Sequence, residues 1–399
     1  MMPRRSSSSR RLPVITGMGC VSPLGCDAAT TRAALLDGFD GVSPVRLFAT
    51  DVFQAKTAGQ VPEVFQELTV AIRPVSGSWP RAAKFVLIAV NEALAARPGF
   101  RPDVVVAGTT SGGMDYGEEF FRGFQRGMSA RDARRCVRGY LPHQPVFEAL
   151  EHLGWDAPVR VISNACASGT NALAWAAGLV RNGQARRVLA VGFDALSEMV
   201  FAGFDALRAA TPEVCRPFDS ARSGLSLGEG AAAFLIEEAH PGTRPLAAIA
   251  GYGFANDNHH LTQPEPEGAG PRLSMRRALD DAGWNPADVD YINAHGTGTL
   301  FNDASEAAAI RAVCPKAPVS STKGMTGHAL GAAGAIEAAY CLHALHGEFL
   351  PPNLHLRETD SGLDIIANHA HRLAPRRVLS NSFGFGGANA TIALEKCDP

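Results

Sequence analysis

Val159, Arg160, Val161, Ile162, Ser163, Asn164, Ala165, Cys166, Ala167, Ser168, Gly169, Thr170, Asn171 is the stretch around which the rest of the chain is arranged. An apolar, β-branched run ends in small residues, and from about Ala167 helix formers continue through Leu173, Ala174, Trp175 and Leu179. Cys166 is thereby placed where a strand turns into a helix. Free N–H groups and the positive dipole end at a helix's first turn stabilise a thiolate, the nucleophilic form of cysteine. A cysteine taken alone is more often a small buried hydrophobe. The remaining loops decide between these readings.

Composition narrows the classes. The 399 residues are 46% hydrophobic, enough for one large or two ordinary domains with substantial cores. Lys plus Arg number 37 against 39 for Asp plus Glu, so no global field marks a nucleic-acid binder. Eight cysteines without a CxxC pair give neither a disulfide framework nor a zinc motif, and a reducing, cytoplasmic setting fits. No apolar run reaches the length of a membrane span. Residues 1–12 carry the charge of a signal peptide without its apolar segment and read as a disordered tail.

From Pro13 the chain alternates strands and helices. A strand over Pro13–Gly19 hands over to a helix near Ala28–Leu36, and Gly41–Gly77 reads as a long irregular excursion before a helix over Arg81–Ala96. A buried strand at Asp103–Ala107 runs into Gly108, Thr109, Thr110, Ser111, Gly112 and Gly113. That turn lacks the Lys of a phosphate loop and the spacing of a dinucleotide fingerprint. Helical pattern follows over Glu118–Arg138 and Pro145–His152, then the Cys166 elbow and strands at Arg187–Val191 and Ala231–Ile236. A second series starts at Leu246, with helices at Arg272–Ala282, Asp303–Val313 and Ala332–His346 and strands at Val289–Ala294 and Pro318–Ser321. The expected division is residues 13–245, holding Cys166, and residues 246–399. Strands separated by helices predict mainly parallel sheets covered on both faces. No sequence repeat relates the halves.

The second half carries three further polar loops. Asn293, Ala294, His295, Gly296, Thr297, Gly298 and Thr299 follow a strand directly, at the sheet edge where functional groups are commonly presented. After Ser321 come Thr322, Lys323, Gly324, Met325, Thr326, Gly327 and His328, then a small-residue helix containing Glu337. Asn381 to Asn389 reads as a glycine-rich loop able to aim backbone N–H groups at an oxyanion. Cys166, His295 and His328 are also competent zinc ligands. No acidic residue accompanies them at a ligand spacing, and Lys323 would repel a cation, so no metal is expected.

These motifs resemble the elongating β-ketoacyl-acyl carrier protein synthases, within the thiolase-like condensing enzymes, from Val14 to Leu394. The resemblance implies an α/β, five-layered αβαβα fold of two similar halves. It also implies a homodimer, or a heterodimer with a chain-length-factor-like subunit, and acyl chains delivered on an acyl carrier protein's phosphopantetheine, with no cofactor of its own. By position, Cys166 carries the acyl chain, and its N–H forms the oxyanion hole with that of Phe385. His295 and His328 stabilise the enolate left by malonyl decarboxylation, Lys323 supports His328, and Glu306 and Glu337 stand behind them. Thr262, Thr297 and Thr299 match positions that bind the pantetheine arm.

Two positions depart from the family pattern. Ser111 stands where relatives carry a bulkier acyl-pocket gate, and Leu225 where a phenylalanine is common. With Phe385 they imply a reshaped pocket open to longer or conjugated chains, of a fatty-acid or a type II polyketide or polyene pathway. Carrier docking falls to a thin basic cluster, Arg73, Arg81, Lys84 and Arg208. Two neighbouring activities stay in view. A chain-length partner subunit usually lacks the nucleophilic Cys, which is present here. A degradative thiolase uses a second cysteine near the C-terminal loop, whereas Cys397 lies beyond that loop.

Overall fold

The computed structural model describes residues 11–72 and 79–398. In chain order they form β1 (Pro13–Val21), α1 (Ala28–Asp37), β2 (Val42–Pro44), β3 (Thr57–Gly59), α2 (Val64–Ile72), α3 (Arg81–Ala96) and β4 (Val104–Gly108). Then come α4 (Met114–Gln125), α5 (Ala130–Gly139), α6 (Gln144–Leu153), β5 (Val159–Ile162), α7 (Ser168–Arg181), β6 (Arg187–Asp194), α8 (Glu198–Ala206), β7 (Leu227–Gly228) and β8 (Gly230–Glu238). The second half holds β9 (Ala247–Asn256), α9 (Ala269–Ala282), β10 (Tyr291–Asn293), α10 (Leu300–Val313), β11 (Val319–Ser320), α11 (Lys323–Thr326) and α12 (Ala333–Gly347). It closes with β12 (Phe349–Leu350), β13 (His371–Arg372), β14 (Arg377–Gly384) and β15 (Ala388–Lys396).

Ten strands form one sheet in the order β11-β10-β14-β15-β9-β1-β8-β6-β4-β5. Read outward from the β1–β9 join, both sides show one pattern. β1–β8 and β8–β6 pair antiparallel, then β6–β4 and β4–β5 parallel. On the other side β9–β15 and β15–β14 pair antiparallel, then β14–β10 and β10–β11 parallel. The duplication that the residues do not show is therefore plain in the pairing. The expected mainly parallel sheets are mixed instead. The three residues Phe385–Gly387 are too short for a crossover, so β15 must return antiparallel to β14.

Helices complete five layers. α3 covers β1 and β8 on one outside, and α9 covers β9 and β15 on the other, while α7 and α12 pack together between the two sheet halves. α12 is buried continuously from Ala333 to Leu345, which its alanines and glycine permit. A Cβ on Gly169 of α7 would lie 2.8 Å from both Ala335 N and Gly331 O, so only glycine allows that approach.

Several local expectations shift. Glu118–Arg138 is two helices, because Ser129 caps a new one by accepting from Asp132 N. Gly41–Gly77 contains β2, β3 and α2. Asn381 to Asn389 is mostly strand, the turn itself being Phe385–Gly387. Residues 1–10 of the expected tail lie outside the described residues, while Arg11 pairs with Glu238 at 2.9 Å. Among the described residues no helix is long and apolar enough to cross a membrane.

Candidate active site

The edge strand β5 delivers the nucleophile through a strained elbow. Ala165 takes φ +46, a left-handed conformation that costs a non-glycine residue about 1–3 kcal/mol and needs support from its surroundings. Ser168 Oγ donates to Ala165 O at 2.6 Å and accepts from Asn164 N at 2.8 Å, and Thr110 Oγ1 donates to Ala165 O at 3.0 Å. Ala167 and Ser168 spend their N–H groups on Asn164 O and Ala165 O. The Cys166 N–H acts on its own sulfur. Cys166 Sγ lies 2.9 Å from His328 Nε2.

Two loops of the second half supply the imidazoles. His295 N and Gly296 N donate to Glu306 at 2.8 and 2.7 Å, and Asn381 Nδ2 donates to the same carboxylate at 3.1 Å. His328 is pinned through its backbone by Ser226 O at 2.7 Å and Gly228 N at 2.9 Å. The rings meet edge to face with centroids 5.1 Å apart. Lys323 uses all three ammonium donors: on His295 Nδ1 at 3.3 Å, on His295 O at 2.6 Å and on Glu337 Oε1. An ammonium cannot accept, so Nδ1 of His295 is the acceptor and the proton sits on Nε2. This differs from the expected support of His328: the long Lys323 side chain reaches back to the neighbouring strand end and acts on His328 only through its charge. His328 Nδ1 has no partner among the described residues.

Burial dominates the electrostatics. It pushes the Cys166 thiol up to about 12, although Lys323 and the cysteine's own N–H pull it down. Burial, then the Lys323 charge, holds both histidines well below their usual value. The resting pair is a neutral thiol beside a neutral imidazole, not the thiolate expected from the helix terminus alone. Burial also raises Glu306 and Glu337 to about 7, against their donors.

A cleft of about 1090 Å³, partly open to solvent, reaches from the surface to Cys166, His295 and His328. Thr262, Thr297, Thr299, Leu225 and Phe385 line it, and the Thr297 and Thr299 hydroxyls lie 2.9 Å apart. A Cβ on Gly384 would lie 3.1 Å from Cys166 N, so the end of β14 abuts the elbow and brings Phe385 beside it. Ser111 is not brought to this cleft; its hydroxyl is donated to Asp194 at 2.7 Å. Of the expected docking cluster, Arg81 and Lys84 have partners of their own. Arg81 is spent on the buried Glu229 and stacks over Phe65, and Lys84 donates to Gln66. Arg208 alone lines the cleft, and Arg73 lies outside the described residues.

Three contributors escaped the sequence reading. Phe204 stacks on Phe385 with centroids 5.7 Å apart, and no motif marked it. Asp303 accepts from Thr297 N at 3.0 Å and Phe218 N at 2.7 Å; an acid in the first turn of α10 was its available signal. Asp194 ends β6 behind the Ser111 turn.

The ligand atoms of Cys166, His295 and His328 all lie within 4.8 Å of one another. A zinc-bound histidine donates its second ring N–H to an acceptor. Here the second nitrogen of His295 faces an ammonium donor, and that of His328 faces no partner among the described residues. The donor set therefore does not fit a resident zinc ion.

Known proteins resemble the chain over nearly its whole length. Residues 13–241 match the family described as "Beta-ketoacyl synthase, N-terminal domain" and residues 246–357 its C-terminal domain. The chain is 34% identical to 3-oxoacyl-[acyl-carrier-protein] synthase 2 of Staphylococcus aureus (strain COL), over 98% of this chain and 99% of that protein. The solved ishigamide ketosynthase/chain length factor covers 98% of this chain and all of its own at 29% identity and TM-score 0.90. A type II polyketide ketosynthase solved with its acyl-carrier protein (AntDE:AntF) covers 98% of this chain and 100% of its own at 26% identity and TM-score 0.87. With both domains matched across the elbow and the two histidine loops, the chain belongs to the β-ketoacyl synthase family.

Proposed function

We propose that this chain is an elongating β-ketoacyl-acyl carrier protein synthase, joining an acyl thioester to malonyl-carrier by decarboxylative Claisen condensation. The observation that carries this is Cys166 Sγ 2.9 Å from His328 Nε2, with His295 beside it at the foot of one cleft. Cys166 attacks the acyl thioester, its proton leaves with the carrier's thiol, and the chain remains on sulfur. Malonyl-carrier then releases carbon dioxide, and the electron pair passes to the thioester oxygen. The Nε2–H of His295, fixed by Lys323, and His328 donate to that oxygen. The enolate carbon attacks the acyl-cysteine carbonyl, the carbon–sulfur bond breaks, and the departing thiolate takes up a proton from solvent through the open cleft, which frees the thiol. Thr262, Thr297 and Thr299 fit the amides and hydroxyls of a pantetheine arm.

The partners are an acyl carrier protein and either a second copy or a chain-length-factor-like chain. The pathway is fatty acid or type II polyketide chain elongation, and eight free cysteines suit the reducing cytoplasm. Incubation with an acyl-carrier thioester, followed by mass spectrometry of the Cys166 peptide, tests the reading. The acyl mass should appear on Cys166 and disappear as product when malonyl-carrier is added. An unlabelled Cys166, or brisk thiolysis of a β-ketoacyl-CoA by CoA without any carrier, would overturn it.

A further inference from the structure

Behind the elbow lies a polar group that the condensation scheme does not use. Asp194 is completely buried at the end of β6. Its Oδ1 accepts from Thr109 Oγ1 at 2.6 Å, Ser111 N at 2.8 Å and Ser111 Oγ at 2.7 Å; its Oδ2 accepts from Thr110 N at 2.9 Å and Gly331 N at 2.7 Å. Among the described residues no cation forms an ion pair with it, so the carboxylate is held by dipoles alone. A buried anion is expensive unless every lone pair is used, and here the acceptor-only group meets five donors.

The donors come from two places that matter. Thr110 passes the contact on to Ala165 O at 3.0 Å, the strained residue directly before Cys166. Gly331 lies three residues beyond His328, and a Cβ there would come within 2.5 Å of Thr110 N and 2.8 Å of Asp194 Oδ2. One carboxylate therefore ties the turn supporting the nucleophile to the segment carrying its imidazole.

We propose that Asp194 is a positioning residue for acyl transfer, fixing the register of Cys166 Sγ against His328 Nε2 by clamping the Thr109–Ser111 turn to Gly331. Ser111 contributes to the clamp, its hydroxyl being an Asp194 donor. The negative charge also opposes ionisation of Cys166. Removing it should therefore move two readouts in opposite directions.

The inference rests on the condensing reading above. Acylation of Cys166 in the parent enzyme is measured first, so failure of that reading is seen separately. Asp194→Asn keeps the shape but aims an amide at donors. The acyl-transfer kcat should fall about tenfold to a hundredfold, as for a small misplacement of reacting groups. KM for the carrier should move by less than about twofold, since binding groups are untouched. Iodoacetamide alkylation of Cys166 at about pH 9 should become several-fold faster, because the thiolate fraction grows. Ser111→Ala keeps the charge and loses one donor, so kcat should fall by a smaller factor with alkylation unchanged. Parental kcat in Asp194→Asn overturns the proposal. So does lowered kcat with alkylation unchanged or slower, which marks general disorder. Should Asp194→Asn not fold, Ser111→Ala decides: lowered kcat with parental alkylation supports the clamp, and parental kcat refutes it.

Discussion

Replacing Lys323 with Met should damage both stability and chemistry, whereas combining it with Glu337→Leu should restore the first and not the second. Lys323 and Glu337 form an ion pair in which both side chains are buried. Removing one member strands the other charge, which typically costs about 3–5 kcal/mol, while replacing both with apolar groups of similar size is often neutral or stabilising. Glu337, already raised to about 7 by burial, loses the one cation paired with it among the described residues in the single variant. Its folded value must climb further, so that variant should lose stability progressively as pH rises through neutrality. The chemistry follows a different contact. Lys323 is the donor that keeps His295 Nδ1 an acceptor and Nε2 protonated. Loss of one placed donor to a developing oxyanion costs about 10²–10³ in rate. Both variants should therefore release carbon dioxide from malonyl-carrier at least a hundredfold more slowly. Urea unfolding at several pH values and carbon dioxide release are the two assays. A double variant that decarboxylates at the parental rate, or a single variant as stable as the double, refutes the reasoning.

Alkylation of Cys166 should keep accelerating from about pH 7 to about pH 10, as a thiol pushed up to about 12 requires; a plateau near neutrality contradicts the neutral pair. Cys166→Ala should abolish chain transfer yet still release carbon dioxide, whereas His328→Ala should cut that release about a hundredfold or more. Equal decarboxylation by His328→Ala and parent defeats the assignment of that donor. Glu306, raised to about 7 by burial, contributes stability that is present below its ordinary carboxylate value and lost as pH rises through the folded one. Parent minus Glu306→Gln stability should therefore shrink by about 3 kcal/mol between about pH 4.5 and pH 7, since a pKa unit is worth 1.36 kcal/mol. A difference that grows over that window reverses the sign and rejects the account.

Much of the site was legible because its residues sit at strand ends with their own local signatures. The β-branched run before Cys166, the Gly-Thr-Gly-Thr after His295 and the small residues around His328 each mark a turn that short-range pattern can reveal. Contacts between distant segments were not legible. Lys323 is five residues from His328 yet bonds His295, because side-chain reach across neighbouring strands β10 and β11 decides it. Arg81 looked free for docking, but Glu229, far along the chain, consumes it. The resemblance puts Ser111 at the acyl pocket because relatives carry a bulkier gate at its position, and only the fold shows that Asp194 takes its hydroxyl. Strand direction was equally hidden, since hydrophobicity does not say whether β8 and β15 run with or against their neighbours.

The mirrored pairing of the two sheet halves has a functional meaning. Equivalent strand ends carry unlike cargo: β5 leads to Cys166 and β11 to Lys323, β4 to the Ser111 turn and β10 to His295, β6 to Asp194 and β14 to Phe385. One half carries the sulfur and the other the two imidazoles, a division of labour between two halves of one architectural plan. The scaffold's symmetry lies in the backbone, and the side chains at its strand ends do not share it.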